Sequence, residues 1–455
     1  MVKIVYKNNS YEVYVTDVLS DGKGVAKIDG YPLFIDNAVT GDKLLVTVTK
    51  TNKNYGFARN DKIISPSPFR KTPECLCFEK CGGCDFMHID YAYQLKLKEN
   101  FVKNNMSRIG GILEDEYEFE GIISADDAFG YRNKAQFPVG KFGKKTVCGF
   151  YEKRSHEIIP CDNCLIQSDD INRAVSLVLE YANENNVSVY DEKTHKGILR
   201  HVYIRSSNSL DELMAVIVTN SDKRLPNEDK LIQKLANLKN IKSIIQNINT
   251  KKTNLILGDK NRIIWGSDHI KTNIKNLKFK ISAHSFFQVN GKQTEKLYQK
   301  ALQYAAPEND TVFDLYCGAG TISLFLAQKA KKVIGVEIVE AAVENAKENA
   351  ALNGIKNAEF YAGDCTEVVE NLIKNGEAAD IVVVDPPRKG CSEELLKFIS
   401  DISPKRLVYV SCNSATLARD AAILKGYGYK LKKLSAVDMF PNSGHIECCA
   451  LLCRK

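Results

Sequence analysis

Asp385-Pro386-Pro387-Arg388 closes one apolar run and Ser411-Cys412-Asn413 closes the next, and these two segments decide how the chain folds. Upstream, Asp314-Leu315-Tyr316-Cys317-Gly318-Ala319-Gly320 forms a glycine-rich turn after a third apolar run. Strands of a doubly wound sheet have this form, and such sheets bind ligands outside the carboxyl ends of their strands. One crevice then collects an acid, a thiol and a cofactor loop. That grouping points to a cysteine nucleophile beside a nucleotide-like cofactor.

Around these motifs, strand and helix alternate regularly from residue 281 to 455. The pattern predicts strands at 311–315, 332–337, 358–362, 380–385 and 407–411, helices at 340–353 and 415–424, and a closing strand pair near 430–437 and 446–453. Five βα units and a final pair make a mostly parallel sheet with an antiparallel edge. Gly318 and Gly320 let a ligand approach the backbone closely. Glu337 ends the second strand, where an acid accepts hydrogen bonds from ribose hydroxyls, and Asp364 follows the third. The loop is not G-x-G-x-x-G, since Gly320 is followed by Thr321-Ile322-Ser323. With Asp385-Pro386-Pro387 on the fourth strand, S-adenosylmethionine is favoured over NAD.

The remainder divides in two. Residues 1–62 alternate in short strands at 12–18, 31–35 and 43–49 with turns at Asp21-Gly22-Lys23-Gly24 and Thr40-Gly41-Asp42, which predicts a small barrel. Its last strand is expected to carry Lys50, Lys53, Asn54, Tyr55, Phe57 and Arg59, a basic and aromatic mixture suited to single-stranded nucleic acid. Ser65-Pro66-Ser67-Pro68 reads as a linker. Residues 70–280 read as mixed α and β, with helices at 93–106 and 171–185 and strands at 135–139, 197–206 and 213–219.

A chain of 455 residues calls for two or three domains. No run of about eighteen apolar residues is present, which excludes a membrane helix. The polar start carries no signal peptide, so the protein is expected in the cytoplasm. A net charge of +7, with lysine spread throughout, is only a weak pointer to nucleic acid. The fourteen cysteines say more. In a reducing compartment they stand for metal binding, catalysis or packing rather than disulfides. Cys75, Cys77, Cys81 and Cys84 crowd into one polar loop, with Cys161 and Cys164 as a second pair. A tetrathiolate zinc site or an iron–sulfur cluster both suit these residues.

These motifs together resemble the RNA uracil-C5 methyltransferase family, in particular its bacterial ribosomal-RNA members with an N-terminal TRAM barrel and a [4Fe–4S] cluster. The resemblance spans the whole chain. It is carried by Cys75-x5-Cys81-Gly82-Gly83-Cys84, Tyr131-Arg132-Asn133-Lys134, Ser285-Phe286-Phe287-Gln288-Val289-Asn290, Asp314-Leu315-Tyr316-Cys317-Gly318, Asp385-Pro386-Pro387-Arg388, Ser411-Cys412-Asn413 and His445-Ile446-Glu447. It implies a Rossmann-like S-adenosylmethionine-binding α/β domain over 281–455, an OB-like TRAM barrel over 1–62 that binds RNA, and a central α+β domain over 70–280 carrying the iron–sulfur site. Residues 95–123 are expected to pack on the catalytic domain. Matched residue by residue, Cys412 is the nucleophile and Glu447 the general base. Gln288, Tyr316, Thr321, Glu337, Asp364 and Asp385 line the cofactor site, Asp385 also meets the uracil, and Phe286 stacks on the base. Cys75, Cys81, Cys84 and Cys164 hold the cluster.

The implied reaction is methylation of C5 of uridine in 23S ribosomal RNA. Its alternative is transfer RNA, against which the cysteine set weighs, because relatives acting on transfer RNA commonly lack the cluster. A radical enzyme is disfavoured: that chemistry expects Cys-x3-Cys-x2-Cys, and the first gap here is five. Cys317, Cys365, Cys448, Cys449 and Cys453 read as packing thiols, and His445 as a strand-end residue without a catalytic part.

Overall fold

The computed structural model describes residues 5–454 apart from 154 and 208. Strands β1 (Ser10–Val18), β2 (Gly24–Ile28), β3 (Tyr31–Ile35), β4 (Lys43–Thr51) and β5 (Gly56–Ser65) close into a barrel in the order β1-β2-β3-β5-β4. Alternate residues such as Val13, Val15, Leu44, Val46 and Val48 fill its interior, as period-two side-chain alternation requires. The basic and aromatic segment expected as one strand is instead a hairpin. Lys50 is the penultimate residue of β4, residues 52–55 turn, and Phe57 and Arg59 lie on β5, because the Tyr31 hydroxyl donates to the Asn52 carbonyl at 2.9 Å and fixes the turn. Tyr55 packs edge-on against Phe34 and Phe57, which tilt against each other, all at 5.6–5.7 Å between ring centres.

The expected linker is also pinned down. Buried Asp42 accepts from the Ser67 backbone at 2.9 Å and from Arg70 Nε at 3.0 Å, so the chain leaves the barrel in a fixed direction. Helix α1 (Tyr91–Arg108) follows, capped by Asp90, whose carboxylate accepts from the Tyr93 N–H.

Residues 95–123 lie on the C-terminal part. Asn105 of α1 donates to Ser414 at 2.8 Å, and β6 (Glu118–Ile123) pairs parallel with a strand of the last sheet. The central part is a seven-stranded sheet in the order β13-β12-β11-β10-β7-β8-β9. Its strands are β7 (Lys134–Phe142), β8 (Lys145–Tyr151), β9 (Ile158–Pro160), β10 (Leu199–Ser207), β11 (Glu212–Thr219), β12 (Ile241–Ile248) and β13 (Lys260–Gly266), with α2 (Asp169–Glu184) and α3 (Glu228–Ala236) inserted between them. A separate hairpin, β14 (His269–Ile274) and β15 (Leu277–Ser282), leads into α4 (Gly291–Ala305).

The C-terminal sheet contains β16 (Thr311–Leu315), β17 (Lys332–Glu337), β18 (Ala358–Ala362), β19 (Ile381–Val384), β20 (Arg406–Ser411), β21 (Tyr429–Val437) and β22 (Glu447–Arg454). Their order is β18-β17-β16-β19-β20-β22-β21-β6, with the connections α5 (Thr321–Ala327), α6 (Glu340–Leu352), α7 (Cys365–Lys374), α8 (Glu393–Ile402) and α9 (Ser414–Gly426). Both faces are covered, so the central strands are largely apolar, with Asp314 of β16 a buried exception. Val383, Val408 and Val410 point into one core, while Val382, Val384, Leu407 and Tyr409 point into the other.

Candidate active site

Sheet order sets the site. β16, β19 and β20 are adjacent parallel strands, so the turns that follow them open on the same edge. β22 enters antiparallel to β20, with Ser411 opposite Cys448. Continuing that register by one residue sets Cys412 opposite Glu447. A cavity of about 710 Å³ opens here and is lined by Phe286, Gln288, Tyr316, Thr321, Glu337, Asp364, Asp385, Cys412 and Glu447. Every residue singled out for the nucleophile, base, cofactor and target base therefore faces one space.

Local bonding holds the walls. Tyr316, Gly318 and Gly320 all take left-handed backbone, with φ of 64°, 55° and 77°. The turn folds back on Glu337, whose carboxylate accepts from the Gly318 N–H at 3.2 Å and the Val339 N–H at 2.9 Å. Asn349 secures the Ala319 carbonyl at 3.2 Å. Asp364 caps α7 through the Thr366 N–H at 2.8 Å. Thr321 shares a hydrogen bond of 3.0 Å with the hydroxyl of Tyr298. On the opposite side Asn413 donates to the Arg388 carbonyl at 3.2 Å, which stitches the turn after β20 to the turn after β19.

Phe286 stands at the mouth, 67% exposed, with the Lys134 ammonium 5.9 Å from its ring. Its loop is clamped from beneath. Buried Arg205 donates to the Ser285 carbonyl at 2.6 Å and to the Ser282 carbonyl, and Asn133 donates to the Gln288 carbonyl at 3.0 Å. Burial, with Arg205 and Arg132 nearby, lowers the Lys134 ammonium to about 8.

Two carboxyl groups and a thiol crowd the floor. Burial raises Asp385 to about 7. It also lifts Glu447, 2% exposed, well above the usual carboxylate range, with the negative Asp385 adding and Arg388 opposing. Burial then pushes the Cys412 thiol up to about 11, helped by Glu447 and Asp385 and opposed by Arg388. The thiol therefore holds its proton at neutral pH, whereas the thiolate is the nucleophile. Arg388, to which the motif reading assigned no role, is thus a cation that favours the thiolate form of Cys412. Its place directly after Asp385-Pro386-Pro387 was the available signal.

A pH dependence follows with a definite sign. Methyl transfer should rise with pH through 8–10 as the thiolate fraction of Cys412 grows. Arg388→Gln should move that limb to higher pH and slow transfer at pH 8 by roughly three- to tenfold, the effect of up to about one pKa unit. Single-turnover rates against pH check this. An equal loss at every pH, with an unmoved profile, would refute the electrostatic role.

The cysteines gather elsewhere. Cys75, Cys81, Cys84, Cys161 and Cys164 line one small cavity walled by Phe78, Met87, Phe150 and Ile166. Cys77, beside them, donates to the Pro160 carbonyl at 3.4 Å. Among the described residues no group of three or more His, Cys, Asp or Glu is drawn together as the ligands of a metal ion.

The family model described as tRNA (uracil-5-)-methyltransferase matches residues 90–455, and a TRAM domain model matches residues 5–59. The chain belongs to the tRNA (uracil-5-)-methyltransferase family. The enzyme is therefore an S-adenosylmethionine-dependent RNA (uracil-C5-)-methyltransferase with an RNA-binding TRAM barrel. It is 46% identical to an uncharacterized RNA methyltransferase of Clostridium tetani over 450 residues, covering 98% of this chain and 97% of that protein. It is 47% identical to one of Listeria innocua over 453 residues, covering 99% of each. The crystal structure of Pyrococcus abyssi tRNA (uracil-54, C5)-methyltransferase in complex with S-adenosyl-L-homocysteine superposes with a TM-score of 0.79 at 28% identity, covering 97% of this chain and 99% of that one. Among the described residues no helix is long and apolar enough to cross a membrane.

Proposed function

We propose that the enzyme methylates C5 of uridine in 23S ribosomal RNA through a covalent bond between Cys412 and C6 of the base. The observation that carries the mechanism is the β20–β22 register, which faces Cys412 with Glu447 across one cavity. C5 of uracil is a poor nucleophile. Addition of the Cys412 thiolate to C6 pushes the ring electrons toward C5 and the neighbouring carbonyl, giving an enolate. S-adenosylmethionine, when bound, supplies the methyl group that C5 takes. Glu447 then removes the C5 proton, the C5–C6 double bond re-forms, and Cys412 leaves as thiolate. Asp385 lines the same floor and would hydrogen-bond the uracil edge. Phe286, exposed at the mouth, stacks on a base taken out of its strand.

The residues present suit the methyl donor. Gln288, Tyr316, Thr321, Glu337, Asp364 and Asp385 would hold it, around glycines whose left-handed backbone leaves room for close approach.

The cysteines suit an iron–sulfur group. Five of them line one small apolar-walled cavity, and cysteine thiolates are the ligands that such clusters take. Cys75, Cys81, Cys84 and Cys164 would hold a [4Fe–4S] cluster, which would cross-link two distant segments and support the central domain. Cys164 is the better anionic ligand of the second pair. Its thiol is lowered by the bond from Cys161 and by the backbone N–H groups of Ile166 and Gln167, against burial. Protein purified without oxygen should be brown, with iron and sulfide at about four each per chain. Cys164→Ser should lose the colour and Cys161→Ser should keep it. Stoichiometric zinc without iron would overturn the assignment.

The choice of 23S RNA rests on the cysteine set and TRAM barrel, which resemble those of the ribosomal members. Transfer RNA remains a second reading, favoured by the Pyrococcus abyssi structure, whose substrate is transfer RNA. Mapping 5-methyluridine in both RNAs from cells with and without the gene separates them. Loss confined to 23S RNA supports the first reading; loss confined to transfer RNA overturns it.

A further inference from the structure

β21 ends at Val437 and β22 begins at Glu447, and these two residues face each other across the pair. The nine residues 438–446 join them. Hairpin loops usually have about two to five residues, and a longer one keeps its shape through outside contacts. Here those contacts come from every earlier part of the chain. Lys98 and Asp438, both fully buried, pair at 2.6 Å. Tyr131 donates to the Pro441 carbonyl at 3.1 Å, and Gln293 of α4 to the Asp438 carbonyl at 3.1 Å. The Ser20 carbonyl of the barrel sits on Gly444 so closely that a Cβ there would lie 1.8 Å from it.

Asn442 is the hub. It is 1% exposed and in left-handed backbone, φ 65°. Its carbonyl accepts from the N–H groups of Asp85 and Phe86, both at 3.0 Å, immediately after Cys84. Its N–H donates to Gln94 Oε1 at 3.0 Å, its Oδ1 accepts from Gln94 Nε2 at 3.2 Å, and its Nδ2 donates to the Ala128 carbonyl at 2.8 Å. From there to the base nothing is slack. Ser443 bonds back to the Phe440 carbonyl at 2.9 Å, Gly444 lies beneath Ser20, and Ile446 is buried. Asn442 does not line the cavity, whereas Phe440 and His445 on either side of it do.

We propose that Asn442 is a positioning residue for Glu447, clamping the β21–β22 loop between the cysteine loop and α1 and so fixing where the base meets C5. This rests on the reading of Glu447 as general base. The orientation of Glu447 is then set by the seating of the barrel and cysteine loop as well as by its own strand. A loosened clamp slows removal of the C5 proton, a step that follows methyl transfer. The consequence is accumulation of methylated covalent adduct rather than weaker binding.

The test uses the full-length holoenzyme and an RNA fragment that it methylates. Asn442→Gly keeps the left-handed backbone and removes both side-chain bonds. Gln94→Leu breaks the same link from α1. Each should lower kcat at least tenfold with KM for RNA and S-adenosylmethionine within twofold, and each should build up denaturation-resistant protein–RNA adduct. Asn442→Asp, which keeps an acceptor for Gln94 Nε2, should restore part of the rate. Glu447→Gln is run alongside. If Glu447→Gln traps adduct while Asn442→Gly and Gln94→Leu lose activity or melting temperature without trapping it, Asn442 is only structural and the proposal fails. If Glu447→Gln traps none, the general-base reading falls and this inference falls with it. Unchanged turnover in both clamp variants also overturns it.

Discussion

Cys412→Ala is expected to bind S-adenosylmethionine and RNA with near-normal affinity and to transfer no methyl group, a loss of more than roughly 10⁴-fold of the kind seen when a nucleophile is removed. Binding survives because the substitution deletes one half-buried sulfur at the end of β20. It leaves the Asn413–Arg388 bond that holds the neighbouring turn, at a stability cost of about 1 kcal/mol. Methylation does not survive, because without a bond at C6 nothing makes C5 electron-rich. Cofactor and RNA affinities, by calorimetry and filter binding, and a single-turnover methyl assay check this. Measurable turnover would end the covalent mechanism. Loss of binding together with activity would mean that the sulfur is structural.

The sheet that carries Cys412 was legible because its strands are buried on both faces. Ile381–Val384 is apolar at every position, and such runs separated by helical periods have few competing interpretations. The central sheet was harder. β13 is an edge strand with Ile263 and Trp265 half exposed among Lys260, Asn261 and Arg262, and only Ile264 packs on the core, so no alternating pattern marks it. β6 is equally silent: Glu118–Ile123 is short, holds Gly121 at φ 87°, and pairs with a strand more than three hundred residues later. No local pattern encodes a partner so distant.

The active site divides along the same line. Glycines, acids and the Ser-Cys-Asn turn announce themselves by residue type, and motif order linked them to a family. The placing of Cys412 and Glu447 on one cavity depends on an antiparallel register, which sequence leaves open. The same holds for Arg388, whose effect on Cys412 exists only once the turns after β19 and β20 are side by side. Asn442 sits in a turn-like Pro441-Asn442-Ser443-Gly444 stretch that suggests an ordinary surface loop. Its burial arises from three separate segments closing over it.

Glu447→Gln should differ from Cys412→Ala in kind. Burial and Asp385 hold Glu447 well above the normal carboxylate range, so a neutral amide of the same shape resembles the protonated side chain and the fold should tolerate it. In the ionised form that accepts the C5 proton, Glu447 is one of the causes raising the Cys412 thiol to about 11, and the amide never carries that charge. Removing that charge eases thiolate formation, and addition to C6 should proceed at least as readily as in the native enzyme. The amide cannot accept the C5 proton, so the C6–S bond has no route to break after methylation. The expected product is an adduct that survives denaturing electrophoresis, carries one methyl group by mass spectrometry, and forms in near-stoichiometric yield in one turnover. Steady-state turnover should fall by more than roughly 10²-fold, the usual scale of a lost general base. An adduct lacking the methyl group would place Glu447 before transfer rather than after it. Absence of any adduct, with cofactor and RNA still bound, would assign proton removal to another group, and Asp385, at about 7 on the same floor, stands nearest in chemistry.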